Sequence, residues 1–314
     1  MRTASLGTAG PTISRIGIGG WQAGGTGPWG GGPRADDDAA IAAIRRAFEG
    51  GVNWVDSAAS YGLGNSEEVV ARAIAPRSIE DEVLVFTKCG HPWEPPDRIR
   101  TDLAPASIRR ECEGSLRRLG VERLDLYQFH HSDPSTPVED SWATMSELVD
   151  EGKVRWAGVS NFDVELLERC EAIRHVDCVQ PELSLLRREA LEVVIPWCGA
   201  HGTGVIGYSP LGTGALARAE DAATHGQGEG DDALLARGLS LQERLHEIGD
   251  RVGVTTRELA VAWALANADV TGVICGARTP EQVDGWIGAS DVALTPELFA
   301  EIGSVAQTDG LGPG

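Results

Sequence analysis

Lysine is nearly missing from this chain. Of 27 basic residues only Lys88 and Lys153 are lysines, the rest being arginine, so a lysine at the end of an apolar strand needs a reason. Basic charge as a whole is outweighed, because 47 acidic residues leave a net charge of -20 and a pI near 4.7. Such a surface repels polyanions, which argues against nucleic acid or anionic membrane as a partner. Long apolar runs are also lacking. Nothing approaches the roughly 20 residues of a membrane helix, and the N-terminal MRTASLGTAGPTISRIG has no apolar core of the roughly 7 to 15 residues that a signal peptide needs. The six cysteines (Cys89, Cys112, Cys170, Cys178, Cys198, Cys275) are scattered, with no CxxC and no histidine at ligand spacing, so neither a disulfide framework nor a zinc site is expected. A reduced, cytoplasmic setting follows, with no metal.

What is present is a strand-and-helix alternation. A length of 314 residues at 42% hydrophobic content supports one domain over residues 1–314. The central stretch is NWVDSAASY, in which a short apolar strand ends on Asp56 with Tyr61 five residues later. GLGN follows as loop, and SEEVVARAI as helix with Ser66 as N-cap. The pattern recurs where VLVF ends in Thr87-Lys88 and where the apolar strand LDLYQF ends in His130-His131. Further strands are expected at Ile16 to Gly19, VRWAGVS, Cys178 to Gln180, GVIGYS and TGVICGA. Helices are expected from Asp36 to Glu49, from Pro105, after the capping box Thr136-Pro137-Val138-Glu139, from Asp163 with Ile173 inward, near Arg187 to Ala200, Leu241 to Val252 and Thr255 to Asn267, and from Pro280 and Pro296. Loops near 22–35, 91–103 and 212–240 are long, and Leu211 to Leu239 reads mostly as mobile loop. Eight strand-helix units point to a parallel, eight-stranded (β/α)8 TIM barrel, an α/β fold with its chemistry at one mouth.

Two near-matches to GxGxxG fail as dinucleotide motifs. Gly202-Gly204-Gly207 precedes its strand, and Gly212-Gly214 with Ala217 has no following strand before Thr271. Asp56, Tyr61, Lys88 and His130 make a more coherent set. An ammonium lowers the pKa of a neighbouring phenol, Asp56 is the available counter-charge for Lys88, and His130 supplies a hydrogen bond to a substrate oxygen. That is a tuned general acid for protonating an oxygen as a carbonyl is reduced. With no nucleophile and no metal cage, the hydride must come from a cofactor.

The stretches NWVDSAASYG, VLVFTKCG, LDLYQFHHSD, GKVRWAGVSNF, VQPELSLL, GYSPLGTGAL and ICGARTPEQVD resemble those of the aldo-keto reductases, in that family's order. The resemblance implies a (β/α)8 barrel and hydride transfer between a nicotinamide and a small or sugar-like aldehyde or ketone. Tyr61 is then the general acid, Lys88 and Asp56 its pKa-setting pair, and His130 the orienting donor. It further implies a cofactor site in which Gly20 and Trp21 follow the first strand and Ser160, Asn161 and Gln180 hold the carboxamide. Tyr208 stacks on the ring, Ser209, Leu211, Gly212 and Gly214 form the pyrophosphate loop, and Gly276, Arg278 and Gln282 hold the adenosine phosphate. Arg278 as a guanidinium clamp favours NADP(H) over NAD(H). Trp21 and Trp93, on loops at the catalytic end, are candidates for the substrate wall. His131, a third candidate for the substrate wall, stands where many members carry tryptophan and makes that wall more polar and titratable. Cys275 stands where proline is common, and Gly285-Trp286 where an acid-amide pair often binds adenine.

Two other readings use the same residues. A nucleotide-sensing regulatory subunit of the potassium-channel β type keeps the same tetrad but turns over slowly. A metal-dependent barrel hydrolase would instead draw ligands from Asp56, His130, His131 and Asp133. Substrate identity and oligomeric state are not legible in the sequence.

Overall fold

The computed structural model describes residues 1–25, 36–75, 83–94, 97–217 and 231–307, without the side chains of 231–235 and 307. Eight strands close into an all-parallel barrel: β1 (Ile16–Gly19), β2 (Trp54–Asp56), β3 (Leu84–Cys89), β4 (Leu124–Phe129), β5 (Val154–Ser160), β6 (Cys178–Gln180), β7 (Gly204–Tyr208) and β8 (Gly272–Gly276), with β8 pairing back onto β1. Around it lie α1 (Asp37–Glu49), α2 (Asn65–Ile74), α3 (Pro105–Leu119), α4 (Val138–Asp150), α5 (Val164–Glu171), α6 (Val194–His201), α7 (Asp231–Val252), α8 (Thr256–Leu265), α9 (Pro280–Asp284) and α10 (Pro296–Gln307). Among the described residues no helix is long and apolar enough to cross a membrane.

Strand alternation divides the apolar residues into two cores. Leu84 and Phe86 of β3, Trp54 of β2, Leu126 of β4 and Ile206 of β7 pack together inside the barrel. Val55, Val85, Tyr127, Phe129 and Val205 face outward onto the helices. Following the same parity to the C-terminal ends, the inward positions become Asp56, Lys88, Gln128, Ser160, Gln180 and Tyr208. The barrel interior is therefore apolar below and polar at its upper mouth, the layering expected of this architecture. A hairpin of Thr3–Ser5 and Thr12–Ser14 closes the lower end. There Trp54 Nε1 donates to the Ser14 carbonyl (2.8 Å) and Trp156 Nε1 to that of Ala9 (3.1 Å). Gly17 lets the Trp54 ring in, because a Cβ there would sit 2.3 Å from it.

Several local expectations are corrected. Ser66 is not an N-cap: α2 begins at Asn65 behind Gly64 in the left-handed region (φ 99°), and Ser66 Oγ instead donates to the Gly20 carbonyl (2.6 Å) beside Ser57 Oγ (2.7 Å). Thr136 does not cap α4. Its hydroxyl donates to Asp133 Oδ2 (2.7 Å), and Pro137 takes the cap position with no side-chain bond. At the start of α8, by contrast, Thr255 and Glu258 form a capping box. Helix α5 stops at Glu171, which leaves Ile173 42% exposed and not inward. The stretch near Arg187 to Ala200 carries a short 3-10 turn (Glu189–Leu191) before α6 begins at Val194. Residues 231–239, read as loop, are the first turns of α7; 218–230 and 26–35 lie outside the described residues.

Candidate active site

Asp56 ends β2 and Lys88 lies near the end of β3, with side chains 4% and 1% exposed. The Lys88 ammonium bonds Asp56 Oδ1 and the Ser57 carbonyl (2.9 Å). Asp56 Oδ2 accepts from Gln128 Nε2 (3.1 Å) and Gln180 Nε2 (2.9 Å). A buried ion pair with both carboxylate oxygens bonded is the form in which such a pair is tolerated. Lys88 Nζ also lies 5.3 Å from the Tyr61 ring centroid, and Tyr61 Oη lies 3.4 Å from His130 Nε2. Tyr61 is placed by the turn after β2, where Gly62 (φ 60°) packs against the backbone of Gly24 so closely that a Cβ would lie 1.9 Å from its carbonyl oxygen.

The electrostatics differ from the sequence expectation in one respect. Burial raises the Tyr61 phenol above its ordinary value; the Lys88 charge opposes this but does not overcome it. Lys88 is itself raised: burial pulls its pKa down, but Asp56 and Tyr61 together outweigh that. Burial, with Lys88 beside it, holds His130 well below the usual imidazole range. Near neutrality the site therefore presents a protonated phenol, a charged ammonium and a neutral imidazole.

The phenol and the imidazole border a cavity of about 410 Å³, within the range of small-molecule and cofactor sites, with the ammonium behind them. Asp56, Tyr61 and His130 line it together with Trp21, His131, Ser160, Asn161, Gln180, Tyr208, Ser209, Leu211, Gly214, Gly276, Arg278 and Gln282. Tyr208 Oη donates to Asn161 Oδ1 (2.9 Å), and the Arg278 N–H to Gln282 Oε1 (2.7 Å). Asn161 (φ 59°), Ser209 (φ 55°), Thr213 (φ 54°), Gly212 (φ 57°) and Gly214 (φ 95°) hold the left-handed backbone that turns the chain sharply at the mouth.

Three expected residues sit behind the wall. Gly20 donates its N–H to the Asp56 carbonyl (2.7 Å), Gly212 packs under Leu186, and Lys88 lies beneath Tyr61. Trp93 is placed elsewhere: its ring lies on the Arg118 guanidinium (5.2 Å), which pairs with buried Glu67 (2.6 Å). The hydrolase set does not assemble, because Asp133 is used locally, accepting from the N–H groups of Leu103 (3.0 Å) and Ser135 (2.8 Å) and from Thr136. Among the described residues no group of three or more His, Cys, Asp or Glu is arranged to hold a metal.

Sequence reasoning missed Gln128, His91, Gln22 and Arg257. Gln128 was detectable as an amide two residues before His130 on the inward face. His91 and Gln22 carry no periodic signal, and Arg257 reaches the cavity from α8 because Gly285 has no side chain, a Cβ there lying 2.7 Å from the guanidinium. The residues fit a nicotinamide nucleotide. The mouth has a glycine-rich turn and is lined by Arg257, Arg278 and Trp286, whose ring is 1% exposed and whose buried Nε1 has no hydrogen-bond partner among the described residues.

The family model described as "Aldo/keto reductase family" matches residues 15–307. Among curated relatives, the chain is 33% identical to Aldo-keto reductase YhdN of Bacillus subtilis (strain 168), covering 100% of this chain and 97% of that protein. It is 32% identical to the NADH-specific methylglyoxal reductase of Escherichia coli (strain K12), covering 94% and 95%. Among solved structures, the glycerol dehydrogenase AKR11B4 from Gluconobacter oxydans matches with a TM-score of 0.86 at 30% identity, covering 99% and 97%. The holo form of aldo-keto reductase AKR11C1 from Bacillus halodurans matches at 0.79 and 26%, covering 97% and 96%.

Proposed function

The chain belongs to the aldo-keto reductase family, and from that membership we propose that it is an NADP(H)-dependent oxidoreductase that reduces a small aldehyde or ketone to the alcohol, with Tyr61 as general acid. The observation that carries this reading is the meeting of a protonated phenol, a neutral imidazole and a buried Lys88–Asp56 pair at the wall of one cavity. When bound, the nicotinamide nucleotide supplies the hydride.

Tyr61 and His130 converge on the position of the carbonyl oxygen. Burial keeps the phenolic proton in place in the resting site, and Lys88 stabilises the phenolate that remains once the proton has gone to the developing alkoxide. Asp56 holds the ammonium beneath the ring, and Gln128 and Gln180 hold Asp56. Ser160 Oγ donates to the Gln180 carbonyl (2.8 Å), which ties the carboxamide-side residues to the same framework. Preference for NADP(H) rests on Arg278 with Arg257 at the same cavity. One barrel domain and a cytoplasmic setting complete the proposal, supported by six buried, free cysteines.

Tyr61→Phe tests the assignment. It removes the proton donor and little else, so the variant retains nucleotide binding while carbonyl reduction falls by roughly a hundredfold or more. Unchanged turnover would overturn the role of Tyr61.

A further inference from the structure

Gln180 lines the cavity but turns its protons away from it. Its Nε2 donates to Asp56 Oδ2 (2.9 Å) and to Gln128 Oε1 (3.1 Å), while Gln128 Nε2 donates to the same Asp56 oxygen (3.1 Å). A carboxylate paired with Lys88 can only accept, so both amides must show it nitrogen, and the orientation of each is fixed. Two protons on Gln180 Nε2 meet two acceptors. What Gln180 has left for a ligand is Oε1, an acceptor.

The residues beside it are in the same state. Asn161 Nδ2 donates to the His130 carbonyl (3.0 Å) and to Ser160 Oγ (3.0 Å), Ser160 Oγ donates to the Gln180 carbonyl (2.8 Å), and Tyr208 Oη donates to Asn161 Oδ1 (2.9 Å). Every polar side-chain proton of these four residues is directed at a protein oxygen. A ligand that docks against them has to bring its own.

Gln128 enforces this from behind. It is fully buried on β4, and β5 lies between it and Gln180 on β6. The β5 residue in register with it is Gly158, where a Cβ would sit 3.1 Å from Gln128 Cγ. With no side chain at 158, the Gln128 amide crosses β5 and reaches both Asp56 and Gln180.

We propose that Gln128 is a positioning residue for cofactor recognition: by holding the Gln180 amide it gives the cavity an acceptor face, which selects a nicotinamide through the N–H of its carboxamide. The inference rests on the reductase reading and adds which atoms of the cofactor are read and what sets that choice. An acetyl group in place of the carboxamide has no proton to give, and leaves Gln180 Oε1 unpaired once water is displaced. A buried acceptor left without a partner costs more than the bond itself is worth in water.

The test is an equilibrium titration of the full chain, read by quenching of tryptophan fluorescence, with three oxidised nucleotides that differ in one group. These are NADP+, its thionicotinamide analogue, which keeps the N–H, and its 3-acetylpyridine analogue, in which methyl replaces the amino group. The wild type should bind the acetyl analogue about tenfold more weakly than NADP+, and the thio analogue within about threefold of it. In Gln128→Met, Gln180 keeps one proton on Asp56 and has the other free to turn into the cavity, so the acetyl-to-NADP+ ratio of dissociation constants falls to about threefold or less. Gln128→Glu, kept protonated by the Asp56 carboxylate beside it, offers the same donor and acceptor and restores the ratio. A merely structural loss would weaken both nucleotides alike and leave the ratio where it was. 2′-Phospho-ADP-ribose, which lacks the nicotinamide, reports whether the rest of the site is folded in each variant; should Gln128→Met fail that check, the wild-type ratios and Gln128→Glu still decide. A wild-type ratio near one, or equal weakening by the thio and acetyl groups, overturns recognition through the N–H. A ratio unchanged in Gln128→Met, or lost in a folded Gln128→Glu, overturns the role of Gln128. Each of these results leaves the reductase reading standing, whereas a wild type that binds none of the nucleotides overturns that reading and this inference with it.

Discussion

Replacing Lys88 with methionine isolates the electrostatics of the barrel mouth. Methionine fills nearly the same volume, so the loss is chiefly of charge and leaves little cavity behind. The side chains of Lys88 and Asp56 are 1% and 4% exposed, so the Asp56 carboxylate left behind is reached by almost no water. Removing one partner of a buried pair costs about 3–5 kcal/mol. Here the two amide donors, Gln128 and Gln180, stay on Asp56 Oδ2 and soften the loss toward the lower figure. About 3 kcal/mol is a large part of the roughly 5–15 kcal/mol that separates native from unfolded chains. The assay is urea unfolding, where the midpoint falls at constant slope. Adding Asp56→Asn to Lys88→Met removes the stranded charge and recovers part of the loss, a coupling on the order of 1–3 kcal/mol in a double-mutant cycle. An unchanged midpoint in Lys88→Met, or additive single losses, would refute the view that the pair is a coupled, desolvated unit.

Arg278→Ala is expected to weaken NADPH far more than NADH, by roughly tenfold or more in the ratio of dissociation constants, because the lost guanidinium is a phosphate-binding group. Equal losses for the two nucleotides, read by fluorescence titration, would place the clamp elsewhere. Glu111 gives a pH signature of stability: burial raises its carboxyl from 4.5 to about 8, against the opposing N–H of Gly90. The native chain keeps a proton that the unfolded chain releases, so this group removes up to about 1.4 kcal/mol for each pH unit climbed between those two values and nothing further above them. Thermal melts of Glu111→Gln should therefore slope less steeply from about pH 5 to 7 than those of the wild type; parallel slopes would mean that the carboxyl titrates normally.

Much of the architecture was legible because the strands announce themselves twice. Each is a short apolar run, and several end in a polar residue that a buried strand would not otherwise carry; Asp56, Lys88 and His130 were found that way, and the structure brings them to one mouth. Capping was less legible. Ser66 and Thr136 have the right chemistry for N-caps, but a distant carbonyl at Gly20 and a local carboxylate at Asp133 compete for their hydroxyls. Gln128 hid inside a strand read as apolar throughout. The direction of the Tyr61 shift was not readable either, since it depends on how deeply the ring is buried and not only on the charge beside it. Arg257 reaches the cavity from a position that no periodicity marks, across Gly285, and His91 reaches His131 from behind it (3.0 Å).

Transfer of label is the most direct test of the central claim. NADPH carrying deuterium at both C4 positions of the dihydronicotinamide should deliver one deuteride, under single-turnover conditions, to the carbinol carbon of the product alcohol, read by mass spectrometry, with the transfer slowed severely in Tyr61→Phe. Alcohol formed without deuterium at that carbon, or turnover that needs no nucleotide, would contradict the account.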